Sequence, residues 1–159
     1  MPTRTAANTK PAPISPYLTV NGAAAAIAFY QKAFGAKEKQ RMPAQDGKRL
    51  MHADITINGG TVLLCDEFPE YGGSGAPSAP GNGTASPVAI TIQYAKPAEV
   101  DATFQRAISA GAKGVQEPQD MFWEARFAML TDPFGHRWFL NAPLPKKPAP
   151  KKKPAAKKK

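Results

Sequence analysis

Apolar and polar residues in the first half of the chain follow a pattern that predicts a strand, a helix and three further strands. Residues 14–20 form a short β-prone run. Apolar residues at helical spacing then predict a helix that begins at Asn21, as its N-cap, and ends at Gly35. The three following strands are predicted at residues 37–42, 50–57 and 61–65, with Asn58-Gly59 as a hairpin turn between the last two.

The second half of the chain repeats this order of elements. Residues 87–94 are β-prone, and Pro97 begins a predicted helix that ends at Gly111. A β-rich stretch covers residues 114–130, and Asp132-Pro133-Phe134-Gly135 predicts a turn before a last strand at residues 136–141. The loop between the halves, residues 67–86, is rich in glycine, serine and proline.

Two short matches at one sequence offset support an internal repeat. Gly35-Ala36-Lys37 and Gly111-Ala112-Lys113 both follow a predicted helix, and they lie 76 residues apart. The same offset relates Val62-Leu63-Leu64 to Trp138-Phe139-Leu140 in the last strand of each half. We therefore predict an α+β fold of two tandem βαβββ modules, residues 13–66 and 87–145, which form a curved mixed β-sheet around a cavity.

Charge is distributed very unevenly along the chain. The net charge is +9, but the last fourteen residues contain only lysine, proline and alanine, and residues 13–145 are close to neutral. We expect residues 1–12 and 146–159 to be disordered, because neither segment has apolar residues to bury. The tail either binds nucleic acid or another polyanion without sequence preference, or is simply solvated. Its candidate contacts are Lys146, Lys147, Lys151, Lys152, Lys153, Lys157, Lys158 and Lys159.

Cys65 is the only cysteine, so an intrachain disulfide is excluded and a reducing compartment is indicated. Its apolar neighbours favour a buried, unreactive thiol over a nucleophile. The sequence shows no signal peptide and no run of membrane-spanning length. We therefore expect a cytoplasmic protein with no membrane partner.

Several motifs in order along the chain resemble one family. They are Pro16-Tyr17-Leu18-Thr19-Val20, Ile27-Ala28-Phe29-Tyr30, Phe34-Gly35-Ala36, His52-Ala53, Asp66-Glu67-Phe68-Pro69, Val100-Asp101-Ala102-Thr103-Phe104 and Asp132-Pro133-Phe134-Gly135-His136-Arg137-Trp138. This set resembles the PhnB-like branch of the glyoxalase/bleomycin resistance/dioxygenase superfamily, also called the vicinal oxygen chelate superfamily. The resemblance implies paired modules around a shared cavity, often across a dimer, so we expect a homodimer.

Many members of that superfamily hold a divalent metal between the first and last strands of each module. The corresponding positions here are Pro16, Leu63, Pro87 or Val88, and Phe139, none of which binds such a cation. A shift of one residue brings in no better set, namely Ser15 or Tyr17, Leu64, Ser86 and Leu140. We predict no metal site and no cofactor.

Strand alternation selects candidate site residues. If Phe139 faces the cavity, Arg137 and Asn141 share its face, and Trp138 and Leu140 pack on the helix. On the strand from Leu50, we expect the helix to be covered by Met51, Ala53, Ile55 and Ile57, which leaves Leu50, His52, Asp54 and Thr56 for the other face. His52 and Asp54 are a candidate acid/base pair, and the alternative is a structural histidine.

The family pattern Phe-Trp-Gly-Asp-Arg-x-Gly reads Phe122-Trp123-Glu124-Ala125-Arg126-Phe127-Ala128 here. Side chains in place of the two glycines should narrow the pocket or change its lining. Phe122 and Trp123 are candidates for stacking on a planar ligand, and Glu124 with Arg126 is either an ion pair at the cavity mouth or a solvated face. The full ligand-binding set predicted is Tyr17, His52, Thr56, Leu63, Phe122, Trp123, Glu124, Arg126, Arg137, Phe139 and Asn141.

Three functions remain open from the sequence. The first is a metal-free small-molecule-binding protein, similar to the drug-sequestering members of the superfamily. The second is an enzyme of the same fold, of lyase or isomerase type, that uses His52 or a metal held by other residues. The third is a DNA-associated accessory protein that acts through its lysine tail.

Overall fold

The computed structural model describes residues 12–72, 76–81 and 84–146. The predictions of disorder for residues 1–12 and 146–159, and of polyanion binding by the lysines of the tail, therefore concern residues that, apart from 12 and 146, lie outside the described part. Within that part, no helix is long and apolar enough to cross a membrane.

The two halves of the chain have the same order of elements, as the repeat predicts. The first half contains β1 Tyr17–Val20, α1 Ala23–Phe34, β2 Lys37–Pro43, β3 Leu50–Ile57 and β4 Gly60–Asp66. The second half contains β5 Ala89–Gln93, α3 Pro97–Ser109, β6 Lys113–Met121, β7 Ala125–Thr131 and β8 Arg137–Pro143. A short helix that the sequence pattern did not predict, α2 Pro69–Gly72, lies in the connecting loop.

Each half forms its own four-stranded mixed sheet. The strand orders are β1-β4-β3-β2 and β5-β8-β7-β6, with the first and last strands of each half paired in parallel. Tyr17 is the partner of Leu63 in the first sheet, and Thr91 is the partner of Phe139 in the second. The tandem βαβββ fold is confirmed, but the two sheets do not join into one sheet around a cavity within this chain.

The two long helices lie between the two sheets. α1 packs on the first sheet, α3 packs on the second, and the helices pack against each other. The Trp138 ring of β8 lies with its centroid 4.7 Å from that of Phe34 and 5.4 Å from that of Tyr30, both in α1. Buried side chains of both modules thus form one core. The sheet faces that point away from the helices are therefore turned outward, on opposite sides of the chain.

A buried carboxylate ties the two modules together. Asp132, at the end of β7, accepts hydrogen bonds from the Tyr30 hydroxyl at 2.7 Å and the Trp138 indole nitrogen at 2.8 Å. It also accepts the backbone N–H groups of Phe134 and His136, both at 2.9 Å. Burial, and then the neighbouring Asp132, raise the pKa of the Tyr30 hydroxyl well above its ordinary value.

The turn residue His136 also joins the modules. Its side chain is buried, and its Nε2 atom lies 2.9 Å from the Thr19 carbonyl oxygen of β1. This contact crosses from the second module to the first, so His136 holds the modules together within one chain.

The start of α1 differs from the sequence prediction. Its N-cap is Gly22, in a left-handed conformation with no side-chain cap, and not Asn21. Asp66, at the end of β4, supplies the missing acceptor, because its Oδ1 atom accepts the N–H groups of Gly22 and Ala23 at 2.8 and 2.9 Å. A neighbouring strand therefore caps this helix.

The alternation predicted for β3 is wrong at its first two residues. Leu50 is buried in the core, and the side chain of Met51 is 44% exposed on the outer face. The register of β2 and β3 shifts between Met42 and Pro43, and such a bulge reverses the direction of the side chains beyond it. From Ala53 onward the predicted alternation is confirmed.

Candidate functional site

The first candidate surface is the face of the first sheet that points away from α1. We call it the first outer face, and its residues are Tyr17, Thr19, Met51, His52, Asp54, Thr56, Leu63 and Cys65. Strand pairing places Leu63 at its centre, between Tyr17 on β1 and Asp54 on β3. Four of the sequence-predicted ligand residues, Tyr17, His52, Thr56 and Leu63, therefore lie on one surface.

Two polar groups of the first outer face have unusual surroundings. The Tyr17 hydroxyl lies 2.8 Å from Nδ1 of His52, within hydrogen-bond distance. Partial burial, and then the neighbouring Cys65, raise the pKa of that hydroxyl. The Oδ1 atom of Asp54 is buried and has no hydrogen-bond partner among the described residues. The structure therefore joins His52 to Tyr17, and not to Asp54, and leaves one carboxylate oxygen for a donor that comes from elsewhere.

Cys65 lies between these groups and the end of β4. Burial raises the pKa of its thiol, and this effect outweighs the hydrogen bonds with Thr19 and Tyr17, which lower it. A thiol with a raised pKa is a poor nucleophile at neutral pH. This agrees with the prediction of an unreactive cysteine, but the prediction that the thiol is buried is wrong, because Cys65 is only partly buried.

The second candidate surface is the face of the second sheet that points away from α3. We call it the second outer face, and its residues include Phe127, Met129, Arg137, Phe139 and Asn141. The predicted alternation of β8 is confirmed, because Trp138 and Leu140 are fully buried on the helix side.

Four aromatic rings form a continuous row along the second outer face and the tip of its β6–β7 hairpin. Ring centroids are 4.9 Å apart for Phe122 and Trp123, 5.6 Å for Trp123 and Phe127, and 5.3 Å for Phe127 and Phe139. All three contacts are edge-to-face. Phe122 is 92% exposed and Trp123 45% exposed, so the row presents its rings to solvent in this chain.

Arg126 and Ala128 lie away from this surface. Arg126 forms its ion pairs with Asp101 of α3 at 2.7 Å and with Asp120 at 3.0 Å, and not with Glu124. Ala128 is fully buried in the core, so its methyl group does not narrow a pocket on the outer face. The expectation that the alanine at this position lines the cavity is wrong.

Glu124 occupies the hairpin turn with a φ of 59°, a left-handed conformation. The resemblance predicts glycine at this position, and glycine adopts such a conformation without the steric cost of a Cβ atom.

We expect Glu124→Gly to raise the free energy of unfolding by about 0.5–1 kcal/mol, measured by urea unfolding. The matched control is Asn58→Gly, also left-handed with a φ of 47°. The free energy of unfolding of that variant should not rise, because asparagine tolerates this conformation and the Asn58 side chain donates a hydrogen bond to the Gln93 carbonyl. Equal or lower stability of Glu124→Gly would contradict the assignment of strain to Glu124.

The side chains at the expected metal positions do not fit a metal ion. Leu63 and Phe139 are at the centres of their outer faces and carry no donor atom. On β1 the outer face carries Tyr17 and not Pro16, and β5 begins at Ala89, after Pro87 and Val88. In the described part of the chain, no group of three or more His, Cys, Asp or Glu side chains is placed to hold a metal.

A cleft beside the first outer face was not predicted from the sequence. It lies under α2 and is bounded in part by Met51, Phe68 and Tyr71. The missed signals were the bulge that turns Met51 outward and the short helix within a segment that the sequence pattern presented as a loop.

Comparisons with known proteins give one consistent result. A family model described as the Glyoxalase/Bleomycin resistance protein/Dioxygenase superfamily matches residues 12–140. An uncharacterized protein of Mycobacterium bovis is 45% identical over 139 residues, which cover 87% of this chain and 88% of the relative. The solved structure of TioX from Micromonospora sp. ML1 is 25% identical with a TM-score of 0.63, covering 84% of this chain and 100% of that one. The solved structure of PA1353 from Pseudomonas aeruginosa is 23% identical with a TM-score of 0.66, and the match covers 85% of this chain and 100% of that one.

Proposed function

The chain belongs to the Glyoxalase/Bleomycin resistance protein/Dioxygenase superfamily, and we propose from this premise that it binds a small molecule without the divalent metal of other members. One observation carries the proposal: the positions of metal ligands are occupied by Leu63 and Phe139, while the surrounding surfaces keep polar and aromatic groups exposed. Such a lining suits an organic ligand better than a cation.

The proposed site is formed by two copies of the chain. Within one chain the two outer faces point away from each other, because the helices lie between the sheets. The first outer face carries the polar groups, and the second carries the aromatic row. In a homodimer, the first outer face of one chain can lie against the second outer face of its partner. The polar groups and the aromatic row then enclose one site, and two-fold symmetry gives two such sites.

The lining indicates what the ligand carries. The buried Oδ1 atom of Asp54 requires a hydrogen-bond donor, such as an amine, amide or hydroxyl group, to offset its burial. The row formed by Phe122, Trp123, Phe127 and Phe139 suits a planar group that stacks on it. We therefore infer a planar ligand with at least one N–H or O–H donor.

Binding is favoured over catalysis at this site. The predicted acid/base pair relies on a carboxylate that orients the imidazole, and His52 contacts the hydroxyl of Tyr17 in place of the Asp54 carboxylate. Assignment to the PhnB-like branch remains a proposal, and so does a role for the lysine tail in binding polyanions.

Exchange of subunits between two variants tests the two-copy site. The compound that the purified protein releases on denaturation is identified by mass spectrometry and bound back. We expect His52→Ala and Phe139→Ala each to lose most of its binding, because each changes one half of every site. After the two variants are mixed and allowed to exchange, about a quarter of the sites should recover, since half of the dimers then carry one intact site.

The matched control mixes His52→Ala with Asp54→Ala, both changed on the first outer face. That mixture should recover no ligand binding, because every site then has an altered first outer face. Sedimentation that shows only monomer at micromolar concentration would refute the two-copy site. Equal binding by the two single variants and the unchanged protein would refute the proposed lining.

A further inference from the structure

The cleft under α2 has the dimensions of a ligand site. Its volume is about 350 Å³, within the range of pockets that hold small organic molecules. We call it the α2 pocket; it is lined by Thr19, Met51, Cys65, Asp66, Phe68 and Tyr71, together with Gly72, Ala76 and Pro77. All of these residues belong to one chain, so this pocket is formed before any second copy binds.

Among the residues that the structure describes, the floor of the α2 pocket has no cationic side chain. Thr19 and Cys65 are partners on adjacent strands, and burial raises the pKa of the Cys65 thiol, which is therefore neutral at physiological pH. The carboxylate of Asp66 is fully engaged, because its oxygens accept the backbone N–H groups of Gly22, Ala23 and Leu50. An anionic ligand group would find no cation on this floor, would be repelled by the Asp66 carboxylate and would lose its hydration on entry.

The roof and one wall favour an aromatic ring over an alkyl chain. Phe68 and Tyr71 stack with ring centroids 5.8 Å apart and an angle of 27° between their planes. Met51 and Cys65 bring two sulfur atoms to the same pocket, and sulfur makes favourable contacts with aromatic rings. Aromatic and sulfur-bearing walls together are suited to a flat, polarizable group.

Arg49 holds the roof in place. Its guanidinium lies 4.3 Å from the centre of the Phe68 ring, donates to the Glu67 carbonyl oxygen at 3.2 Å and pairs with Glu70. It also pairs with Asp46 at 2.7 Å in the β2–β3 turn. Arg49 is thus engaged with two carboxylates, and it fastens α2 to the hairpin.

We propose that the α2 pocket binds an aromatic group of one or two fused rings that carries no negative charge. The inference deepens the proposed function, because the pocket shares Thr19, Met51 and Cys65 with the first outer face and would take the apolar end of a ligand that lies on that face. It does not depend on the dimer, since a single chain supplies every wall.

The test compares two probes that share one ring system. Binding of 2-naphthol, which is neutral, and of naphthalene-2-sulfonate, which is anionic, is measured by calorimetry on the full-length protein. We expect the sulfonate to bind at least about tenfold more weakly, because the pocket offers it no cation.

Cys65, the only cysteine, reports occupancy of the pocket itself. At tenfold excess of 2-naphthol over its Kd, alkylation of Cys65 by iodoacetamide should be about tenfold slower.

Substitution of the roof separates this pocket from the other aromatic surfaces. Tyr71 is 71% exposed, so Tyr71→Ala should fold, and it should weaken 2-naphthol binding by about three- to tenfold through loss of ring contacts. The matched control is Val115→Ala, which shortens an exposed apolar side chain on β6 and lies outside the residues of both proposed sites. That control should leave both 2-naphthol binding and Cys65 protection unchanged.

The outcomes distinguish the two proposals. Phe139→Ala should abolish the two-copy site and leave Cys65 protection by 2-naphthol intact, because Phe139 lies on the other sheet. The pocket proposal is overturned if 2-naphthol does not slow alkylation of Cys65, or if the two probes bind equally. It is also overturned if Val115→Ala weakens binding as much as Tyr71→Ala does.

Discussion

Replacing Asp132 with alanine should lower the free energy of unfolding by about 3–5 kcal/mol. The carboxylate accepts four hydrogen bonds inside the protein, and two of the donors, Tyr30 and Trp138, are fully buried. Alanine leaves these donors without an acceptor, and water has no access to replace it. The loss also loosens the contact between modules, because Tyr30 belongs to α1 and Asp132 to the second sheet.

Urea unfolding followed by circular dichroism, at one fixed protein concentration, measures this loss. The matched control is Asp120→Ala, which removes an exposed carboxylate paired with Arg126 at 3.0 Å and should cost less than about 1 kcal/mol. Tyr30→Phe removes only one of the four donors and should cost about 1–2 kcal/mol. A loss below about 1 kcal/mol for Asp132→Ala would show that the four bonds contribute little to stability.

Replacing Asp66 with alanine should cost about 2–4 kcal/mol, the second largest effect that we expect. Its two oxygens accept three backbone N–H groups, from Gly22 and Ala23 at the start of α1 and from Leu50 at 2.7 Å at the start of β3. No side chain caps α1 in its place, and a carboxylate at a helix N-terminus is also favoured by the helix dipole. The substitution therefore loosens the helix and the strand together.

Amide hydrogen exchange locates this effect. Protection should fall at the first turn of α1 and at Leu50, and change little in the second sheet.

The matched control is Asp46→Ala. Asp46 also accepts three hydrogen bonds, from the backbone N–H groups of Lys48 and Arg49 and from the Arg49 guanidinium, but it does so in an exposed turn. Its loss should be much smaller than that of Asp66, since water replaces the carboxylate there. Similar losses of unfolding free energy at the two positions would mean that burial of Asp66 does not increase the contribution of its hydrogen bonds to stability.

These two carboxylates show where sequence reasoning reached its limit. Asp66 follows an apolar strand and Asp132 precedes a turn, and both positions were assigned to motifs or turns from local pattern. Their partners lie far along the chain, since Asp66 bonds Gly22 and Asp132 bonds Tyr30. Local pattern named Asn21 as the cap of α1 because it considers only neighbouring residues. The actual acceptor is brought there by the parallel pairing of β1 with β4.

The sequence by itself determined the elements, their repetition and most of the side-chain directions. Periodicity of two or of 3.6 residues depends on the backbone geometry of strand and helix, so it is visible without any tertiary contact. This is why α1, the β3–β4 hairpin and the faces of β8 were predicted correctly. Leu50 and Met51 were the exceptions, because a bulge depends on how the partner strand is paired.

Only the tertiary structure decided which candidate residues come together. Alternation assigned His52 and Phe139 to one cavity and left open whether one chain or two form it, and packing of α1 against α3 turns their sheets outward on opposite sides of this chain. The partner of Arg126, the unpaired oxygen of Asp54 and the pocket under α2 also depend on contacts between distant segments. Such contacts follow from how whole helices and sheets bury their apolar faces, and alternation along a single strand carries no information about that choice.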